Sequence, residues 1–558
     1  MRTGSWRVSR TITEVPPLLA LREALEAAAA AIGGDAVPPS SRLTLERPKK
    51  AGFGDYATNA AMLLAPVVGA PPRDVAGQVG AELGARLGDR LDRVEVAGPG
   101  FLNLFLSDGW HASALADVLE SGDRFGAGSP GAAERILVEF VSANPTGPLT
   151  AASGRHAAFG DALSRLLGFA GHHVDREFYV NDAGSQVAKL GLSIQARARG
   201  EEVPEDGYQG EYVAELAEQI PGAADADPAV LAERGVELML ERNRATMEAY
   251  RVTFDSWFSE RSLYAGEPNA VDHAYEQLEA HGHLYRSEGA LWLRTTDTGD
   301  DKDRVLERSS GEPTYFSSDI AYHGDKLVRG YDRLIDVFGA DHHGYIGRMK
   351  AAVGALGTDP ERLEILIMQF VHVVEGGERS KMSKRAGEFI TLDDLIGEIG
   401  VDATRFFMLS RSHDTTVDLD LDLAKRQSNE NPVYYVQYAH ARIASIRAKA
   451  GEERVAEALR TVGVPPAVQL EPAERALIKK LLSFPDEVAE AAARRAPHRI
   501  TAYALELAQA FTAFYRDCQV VGAEGDGVED LRLALCVASQ RTIATSLGLL
   551  GVTAPDAM

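Results

Sequence analysis

The chain has 558 residues, of which 45% are apolar and 25% charged, a composition typical of a globular protein with three or four domains. Its 58 lysines and arginines against 82 aspartates and glutamates give a formal charge of −24, which argues against indiscriminate nucleic-acid binding. The two cysteines, Cys518 and Cys536, exclude a disulfide framework and an all-cysteine zinc site. There is neither a membrane-spanning apolar run nor a secretory signal, and we expect a cytoplasmic protein.

The N-terminal part mixes helical patterns with short strands. Apolar residues recur at helical spacing from Leu18 to Ala29. A short strand is predicted at 93–96, and residues 101–106 form an apolar stretch. A segment rich in Gly, Ser and Pro, residues 121–131, indicates a domain boundary. We therefore predict an α+β N-terminal domain over residues 1–125.

The middle of the chain carries the pattern of a parallel sheet. A buried strand at 136–141, a turn rich in Pro and Gly, a helix at 153–169 and a strand at 173–180 form a βαβ unit. Strand patterns return at 334–338 and 363–368. The prediction is an α/β domain over residues 126–424, with an insertion near 200–310.

Strand patterns end at about Ala424, and the rest of the chain is predicted to be helical. One apolar stripe is spaced by three and four residues: Ile500, Tyr503, Leu507, Phe511, Phe514 and Cys518. We predict an all-α C-terminal domain over residues 425–558.

The strongest short motif is Lys381-Met382-Ser383-Lys384-Arg385, which follows an apolar run in the parallel-sheet domain. Cations at the carboxyl edge of such a sheet are suited to binding the phosphates of a nucleotide. The motif resembles the KMSKS loop of class I aminoacyl-tRNA synthetases.

Longer stretches resemble one family of that class, the arginyl-tRNA synthetases. They include VEFVSANPTGPLTAASGR (138–155), EFYVNDAGSQ (177–186), YFSSDIAY (315–322), RLIDVFGADHHGY (333–345) and NPVYYVQYAHARI (431–443). The resemblance covers nearly the whole chain after residue 16. It implies a Rossmann-like class I catalytic core, an N-terminal domain that contacts tRNA and a helical anticodon-binding domain.

The resemblance also implies site residues. Carboxylates suit the planar donors of an arginine guanidinium, and the matching arginine-binding positions are Glu139, Asn144, Tyr315, Asp319 and His342. The matching ATP-binding positions are Thr150, Ser153, Gly339, Asp341, Lys381, Met382, Ser383 and Lys384. Catalysis is assigned to Lys381, Lys384, Thr150 and Ser153, and no protein-bound metal is expected.

One departure from the family concerns its HxGH signature, because this chain reads Thr150-Ala151-Ala152-Ser153 at those positions. Both histidines, which donate hydrogen bonds to ATP phosphates in class I enzymes, are absent. His156, one helical turn further on, is a candidate for partial replacement, although a lone helix histidine is more typical of a surface.

Two functions remain open at this point. One is an arginine–tRNA ligase that uses ATP with Mg²⁺, L-arginine and tRNA(Arg), expected to be a monomer without a membrane association. The other is a non-catalytic or repurposed member of the family that binds tRNA or arginine. For tRNA contacts, the candidate basic patches are Arg42, Arg47, Lys49 and Lys50 in the N-terminal domain, and Arg494, Arg495 and Arg499 in the C-terminal domain.

Overall fold

A computed structural model describes residues 17–48, 52–129, 131–379, 390–463 and 468–558 of the chain. The predicted motif Lys381–Arg385 lies outside these residues. No helix in the described ranges is both long and apolar enough to cross a membrane.

The N-terminal part packs four helices around a small antiparallel sheet. Its elements are α1 (Pro17–Gly33), β1 (Tyr56–Thr58), α2 (Ala60–Val68), α3 (Pro72–Leu87), β2 (Leu91–Ala97), β3 (Phe101–Leu106) and α4 (Asp108–Ser121). The three strands pair in the order β1-β3-β2. The predicted helix and the predicted strand at 93–96 are confirmed, and the apolar stretch 101–106 forms strand β3. Helix α1 buries Leu21, Leu25 and Ala29 because they recur on one helix face.

The middle part contains the parallel sheet and the segments that cross over it. Its first elements are β4 (Arg135–Glu139), α5 (Ala151–Phe169), β5 (His173–Val180), α6 (Ser185–Arg199), α7 (Tyr212–Gln219), α8 (Pro228–Ala249) and β6 (Ser256–Ser259). Next come α9 (Ala270–Ala280), β7 (Leu284–Ser287), β8 (Ala290–Leu293), β9 (Arg304–Glu307), α10 (Tyr315–Val328), β10 (Arg333–Gly339), α11 (Ile346–Ala355) and β11 (Leu363–Met368). The last are β12 (Val371–Glu375), β13 (Glu378–Arg379), α12 (Leu392–Met408), β14 (Val417–Asp420) and α13 (Leu421–Ala424).

Five strands form one parallel sheet in the order β11-β10-β4-β5-β6. The predicted parallel βαβ unit and the return of strands at β10 and β11 are confirmed. Strand β4 ends two residues earlier than predicted, because the backbone turns at Val141 (φ 69°) and Ser142 (φ 39°).

The segment predicted as an insertion is not wholly outside the sheet. Residues 256–259 form the edge strand β6, which pairs in parallel with β5. The helices α6, α7 and α8 lie before this strand, and β7, β8 and β9 form a separate antiparallel sheet after it. The prediction of one insertion across 200–310 therefore missed a four-residue strand of the main sheet.

The C-terminal part is helical throughout its described residues, as predicted. Its elements are α14 (Pro432–Ala450), α15 (Glu452–Thr461), α16 (Pro472–Leu482), α17 (Phe484–Ala493), α18 (His498–Asp517) and α19 (Val528–Leu549). All six residues of the predicted apolar stripe on and just after α18 are buried.

Candidate functional site

The candidate site lies at the carboxyl edge of the parallel sheet, where the strand order reverses. From β4 the chain proceeds to β5 and β6 on one side, whereas β10 and β11 lie on the other. Ligands of open α/β sheets bind in the crevice at such a reversal. Glu139 ends β4 and Gly339 ends the neighbouring β10, so both predicted residues lie at this crevice.

The substituted signature turn forms the start of α5. The Thr150 hydroxyl caps the helix by accepting a hydrogen bond from the Ser153 N–H at 3.4 Å, and the two hydroxyl oxygens are 3.4 Å apart. Ala151 N–H donates to the Ile390 carbonyl at 3.1 Å, and Leu392 N–H donates to the Leu149 carbonyl at 2.8 Å. The turn is thus fixed to the residues that directly follow the predicted lysine motif.

Arg155 fixes the same turn from inside the protein. Its guanidinium is 1% exposed and donates to four backbone carbonyls. The acceptors are Gln369, Phe370, Ser412 and Thr415. Burial lowers the pKa of Arg155 to about 10, so the side chain remains a cation at neutral pH. It therefore joins the start of α5 to the connection between β11 and β12.

His156 lies inside the crevice and not at a surface, so the surface expectation was wrong. Its Nδ1 is buried without a hydrogen-bond partner in the described part of the chain. Burial, followed by the charge of Arg155, lowers the pKa of His156 to about 4, while Val337 and Asp341 act in the opposite direction. The imidazole is therefore neutral at pH 7.

The other predicted ATP-binding residues divide into two groups. Gly339 begins a short turn that carries Asp341 and His342, whose side chains are 78% and 54% exposed and lie 3.1 Å apart. Lys381, Met382, Ser383 and Lys384 lie outside the described residues, but both flanks are placed. Arg379 of β13 pairs with Asp418 at 3.0 Å on one side, and Ile390 contacts the signature turn on the other.

The predicted arginine-binding residues cluster around α10. Asp319 lies on its inner face and accepts a hydrogen bond from the Tyr345 hydroxyl. Tyr315 is the first residue of α10 and is 57% exposed. Its hydroxyl oxygen lies close to Gly184: a Cβ atom added to this glycine would be 3.3 Å from that oxygen. Asn144 is exposed in the turn after β4. Tyr315 and Asn144 are therefore accessible to solvent, whereas Asp319 is half-buried.

Glu139 has a partner that the sequence analysis missed. Its Oε2 accepts a hydrogen bond from Lys326 Nζ at 2.6 Å, and its Oε1 accepts one from the Ser142 hydroxyl at 2.8 Å. Lys326 also contacts Asp336 Oδ1 at 2.8 Å, and His323 Nε2 lies 2.7 Å from Asp336 Oδ2. Burial raises the pKa of Glu139 in spite of Lys326. Lys326 and His323 overcome burial at Asp336 and lower its pKa to about 2.

Glu260 is a second residue that the sequence analysis missed. It follows β6, is 4% exposed, and accepts a hydrogen bond at 2.8 Å from Asn181 when the amide nitrogen of Asn181 faces it. Burial and then the nearby charge of Asp319 raise its pKa to about 7. Burial likewise raises the pKa of Asp319. No local sequence signal could have located Glu260, because the strand before it is four residues long and mixes serine with aromatic residues.

We call Asp319 and Glu260 the outer carboxylates, and we call Glu139 and Asp336 the inner carboxylates. The inner pair is bound by Lys326, whereas neither outer carboxylate has an ion-pair partner within the described ranges. Two neighbouring buried carboxylates without a cation favour binding of a cationic group, because it would relieve the repulsion between them.

The helical part carries an exposed group of aromatic rings and one arginine. Tyr434 and Tyr438 of α14 stack with ring centroids 6.1 Å apart, and the Arg442 guanidinium lies 4.8 Å from the Tyr438 ring and 5.2 Å from that of Tyr515. Tyr438 and Tyr515 are 36% and 38% exposed. Such rings are suited to stacking on unpaired bases.

The predicted basic patches are engaged in other contacts. Arg47 pairs with Asp486 at 2.9 Å, Arg495 with Glu364 at 2.9 Å and Arg499 with Glu487 at 2.8 Å. Arg494 also pairs within its own helix. Arg47 and Arg495 thus join parts of the protein, and none of these four arginines is the free cation that the patch interpretation required. Of the other predicted patch residues, Arg42 is exposed, and Lys49 and Lys50 lie outside the described residues.

Three family models together match most of the chain. The arginyl tRNA synthetase N terminal domain matches residues 19–106, the catalytic domain of class I (R) tRNA synthetases matches 114–209 and 230–441, and the DALR anticodon binding domain matches 436–558.

Relatives and a solved structure agree with these models. The chain is 46% identical to the arginine–tRNA ligase of Desulforudis audaxviator over 97% of this chain and 98% of that protein. It is 46% identical to that of Frankia alni over 92% and 95%. The Thermus thermophilus arginyl-tRNA synthetase structure is similar with a TM-score of 0.75 and 27% identity, over 97% of this chain and all of that one. The chain belongs to the arginyl-tRNA synthetase family.

Proposed function

We propose that this chain is an arginine–tRNA ligase, which activates L-arginine with ATP and transfers it to tRNA(Arg), with AMP and pyrophosphate as the other products. The observation that carries the substrate assignment is the pair of outer carboxylates: Glu260 is buried, Asp319 beside it is half-buried, and neither is paired with a cation in the described structure. A guanidinium presents a planar fork of donors that two carboxylates can accept. The solvent-accessible side chains of Tyr315, Asn144 and His342 would contact the rest of the amino acid.

ATP, bound with Mg²⁺ as substrate, would occupy the reversal crevice between β4 and β10. Its phosphates would face the start of α5 with Thr150 and Ser153, because a helix start favours anions. The turn from Gly339 to Asp341 would face the nucleoside, and Lys381, Met382, Ser383 and Lys384 would approach the phosphates from the segment anchored at Ile390. The arginine carboxylate then attacks the α-phosphorus in line, and positioned cations stabilise the charge that develops.

The tRNA would bind the helical part through the exposed rings of Tyr438 and Tyr515 and the half-buried ring of Tyr434, with Arg442 beside them. Base stacking on aromatic rings contributes about 1–3 kcal/mol per base and needs few phosphate contacts. This mode of binding suits a chain with a formal charge of −24. We also propose a cytoplasmic location and a monomeric state; Cys518 and Cys536 are both buried as free thiols, in agreement with a reducing compartment.

The first prediction tests the arginine pocket. Asp319→Asn removes one outer carboxylate at constant size, so the KM for arginine should rise about 10²-fold or more, whereas the KM for ATP should change less than about threefold. The measurement is aminoacylation of tRNA(Arg) with radiolabelled arginine. Glu218→Gln, which removes an exposed carboxylate on α7, is the matched control and should behave as the wild type. Equal changes in both KM values would contradict the assignment of Asp319.

Aminoacylation and pyrophosphate exchange together separate the ligase from the non-catalytic alternative. Wild-type protein at high concentration should support pyrophosphate exchange in the presence of arginine, ATP and cognate tRNA. Absence of both exchange and aminoacylation would overturn the proposed function and leave a binding protein of the same family.

A further inference from the structure

One face of α10 carries two separate groups of charge. Asp319, Tyr322, His323 and Lys326 are spaced by three or four residues, so they share the helix face that packs on the crevice. At a rise of about 1.5 Å per residue, the first and last of them are roughly 10 Å apart along the helix. The outer carboxylates lie at one end of this face and the inner carboxylates at the other.

The inner end is closed around Lys326. Its side chain is fully buried, its Nζ contacts Glu139 at 2.6 Å and Asp336 at 2.8 Å, and it lies 4.3 Å from the centroid of the Tyr322 ring. Asp336 also contacts His323 at 2.7 Å, and Glu139 also binds Ser142. The acceptors that remain at the inner end have little room for a further donor, since Glu139 is 5% exposed and Asp336 0%.

We propose that Lys326 is a positioning residue for the amino-acid substrate: as a resident cation on the inner carboxylates, it confines the guanidinium of arginine to the outer carboxylates. This inference rests on the proposed function, because it concerns the same pocket. Without a resident cation, the inner carboxylates would be a second binding place for a cationic side chain, about 10 Å from the first. An arginine bound there would hold its carboxylate away from the α-phosphorus of ATP.

The chemistry of the two cations fits this division. An ammonium is a compact charge on a flexible stem and can reach two carboxylates in a closed space, whereas a guanidinium needs oxygen atoms arranged in its plane. The carboxylates also keep Lys326 protonated, because they raise its pKa although burial acts in the opposite direction. Lys326 is therefore protonated at any pH at which the enzyme would work.

The test compares steady-state charging by the wild type, Lys326→Met and Lys326→Arg. Arginine bound at the inner carboxylates would be unproductive, so kcat would fall although arginine still binds the enzyme in its ground state. Lys326→Met should therefore lower kcat about tenfold or more, with a KM for arginine that is unchanged or lower. Lys326→Arg, which retains the charge, should keep a higher kcat than Lys326→Met. A higher KM for arginine in Lys326→Met, or a kcat within about threefold of the wild type, would overturn the proposal.

A second measurement separates charge from packing. Lys326→Ala removes three methylenes and the ammonium, which n-propylammonium reproduces. Added n-propylammonium should restore kcat of Lys326→Ala at least about fivefold and leave the wild type unchanged, whereas 1-propanol, of equal length and neutral, should not. If n-propylammonium and 1-propanol restored kcat equally, or if neither restored it, a role for the charge would be contradicted. Failure of the wild type to charge arginine would instead overturn the proposed function itself.

Discussion

Two hydroxyls occupy the start of α5, where the family's signature has histidines. The Thr150 hydroxyl is already used as the helix cap, and it is only 8% exposed. Ser153 is partly buried and its hydroxyl faces Thr150 at 3.4 Å. Of the two, Ser153 is the better placed to reorient toward a phosphate, because its side chain does not fix the end of the helix.

His156 cannot supply the missing positive charge. With a pKa of about 4, its imidazole is neutral at pH values near 7. Arg155 carries a charge, but its guanidinium is directed at four backbone carbonyls and away from the crevice. We therefore propose that charge stabilisation on the phosphates depends on the lysine motif.

We predict that Lys384→Ala lowers tRNA-dependent pyrophosphate exchange about 10²–10³-fold, the loss typical of a preorganised charge-stabilising donor. Ser153→Ala should lower exchange by roughly fivefold, corresponding to about 1 kcal/mol for a neutral hydrogen bond. Both are measured as the rate of labelled pyrophosphate incorporation into ATP. Thr150→Ser, which keeps the cap, is the control and should retain the wild-type rate. A Lys384→Ala variant as active as the wild type would show that another group carries the phosphate charge.

At the scale of elements, α12 connects the lysine segment with the helical part. Thr391 and Asp394 form a capping box at the start of α12, next to the contacts with the signature turn. Beyond a break at Gly400, Asp402 accepts hydrogen bonds from Arg251, Gln437 and Thr553. One element thus has one end at the site and the other against the tRNA-binding part.

The break at Gly400 yields a prediction with an internal control. Gly400 has φ 78° and ψ 161°, a region that is essentially restricted to glycine. Gly400→Ala should therefore lower the free energy of unfolding by about 1–3 kcal/mol, although no atom lies within 4 Å of the added Cβ. Gly397→Ala, in the regular first half of α12 with equally open space, should instead raise it by about 0.5–1 kcal/mol. Urea denaturation of the two variants measures both values, and equal effects would exclude backbone strain as the cause.

Local patterns predicted the elements that have a long or buried repeat. The apolar runs of β4, β10 and β11 and the three-four spacing of α18 are visible in any short window of the sequence. Strand β6 is four residues long with no fully buried member, so periodicity cannot distinguish it from a loop. Lys326 and Glu260 were missed because their partners, Glu139 and Asp319, are far away in sequence and a lysine or glutamate in a helical or loop pattern predicts solvent exposure.

At the scale of the whole molecule, buried charges join the three parts of the chain. Arg405 is fully buried; it pairs with Asp161 of α5 and donates to the Leu550 carbonyl at 2.9 Å beyond the last helix. The N-terminal part is joined to α16 through Arg475, which pairs with Asp108 and donates to the Leu106 carbonyl at 3.0 Å. The catalytic part and the N-terminal part are thus each fixed to the helical part.

Asp55 lies at the centre of the second of these junctions. Its Oδ1 is 3.0 Å from Lys479 Nζ, its Oδ2 accepts a hydrogen bond from Leu106 N–H at 2.7 Å, and His111 lies 3.6 Å away. Burial raises the pKa of Asp55, but His111, the Leu106 N–H and Lys479 together outweigh it and hold the pKa well below the ordinary value of 3.8. A carboxyl with a depressed folded-state pKa stabilises the fold above its unfolded pKa, and this stabilisation is lost as the pH falls below that value.

The junction therefore predicts a pH-dependent effect of Asp55→Asn. At pH 7 the variant should be less stable by about 1–2 kcal/mol; this is smaller than the ~3–5 kcal/mol of a fully buried pair, because Lys479 is 39% exposed. The difference should stay constant from pH 7 to about pH 5 and shrink progressively below about pH 4, because the Asp55 carboxyl of the unfolded chain then binds a proton while that of the folded chain stays ionised. Thermal unfolding of both proteins across pH 3–7 measures this difference.

Glu95→Gln, which removes an exposed carboxylate from β2, serves as the control and should show no such convergence. A difference between Asp55→Asn and the wild type that persists unchanged down to pH 3 would mean that Asp55 acts through packing, and that its charge does not hold the N-terminal part to the helical part.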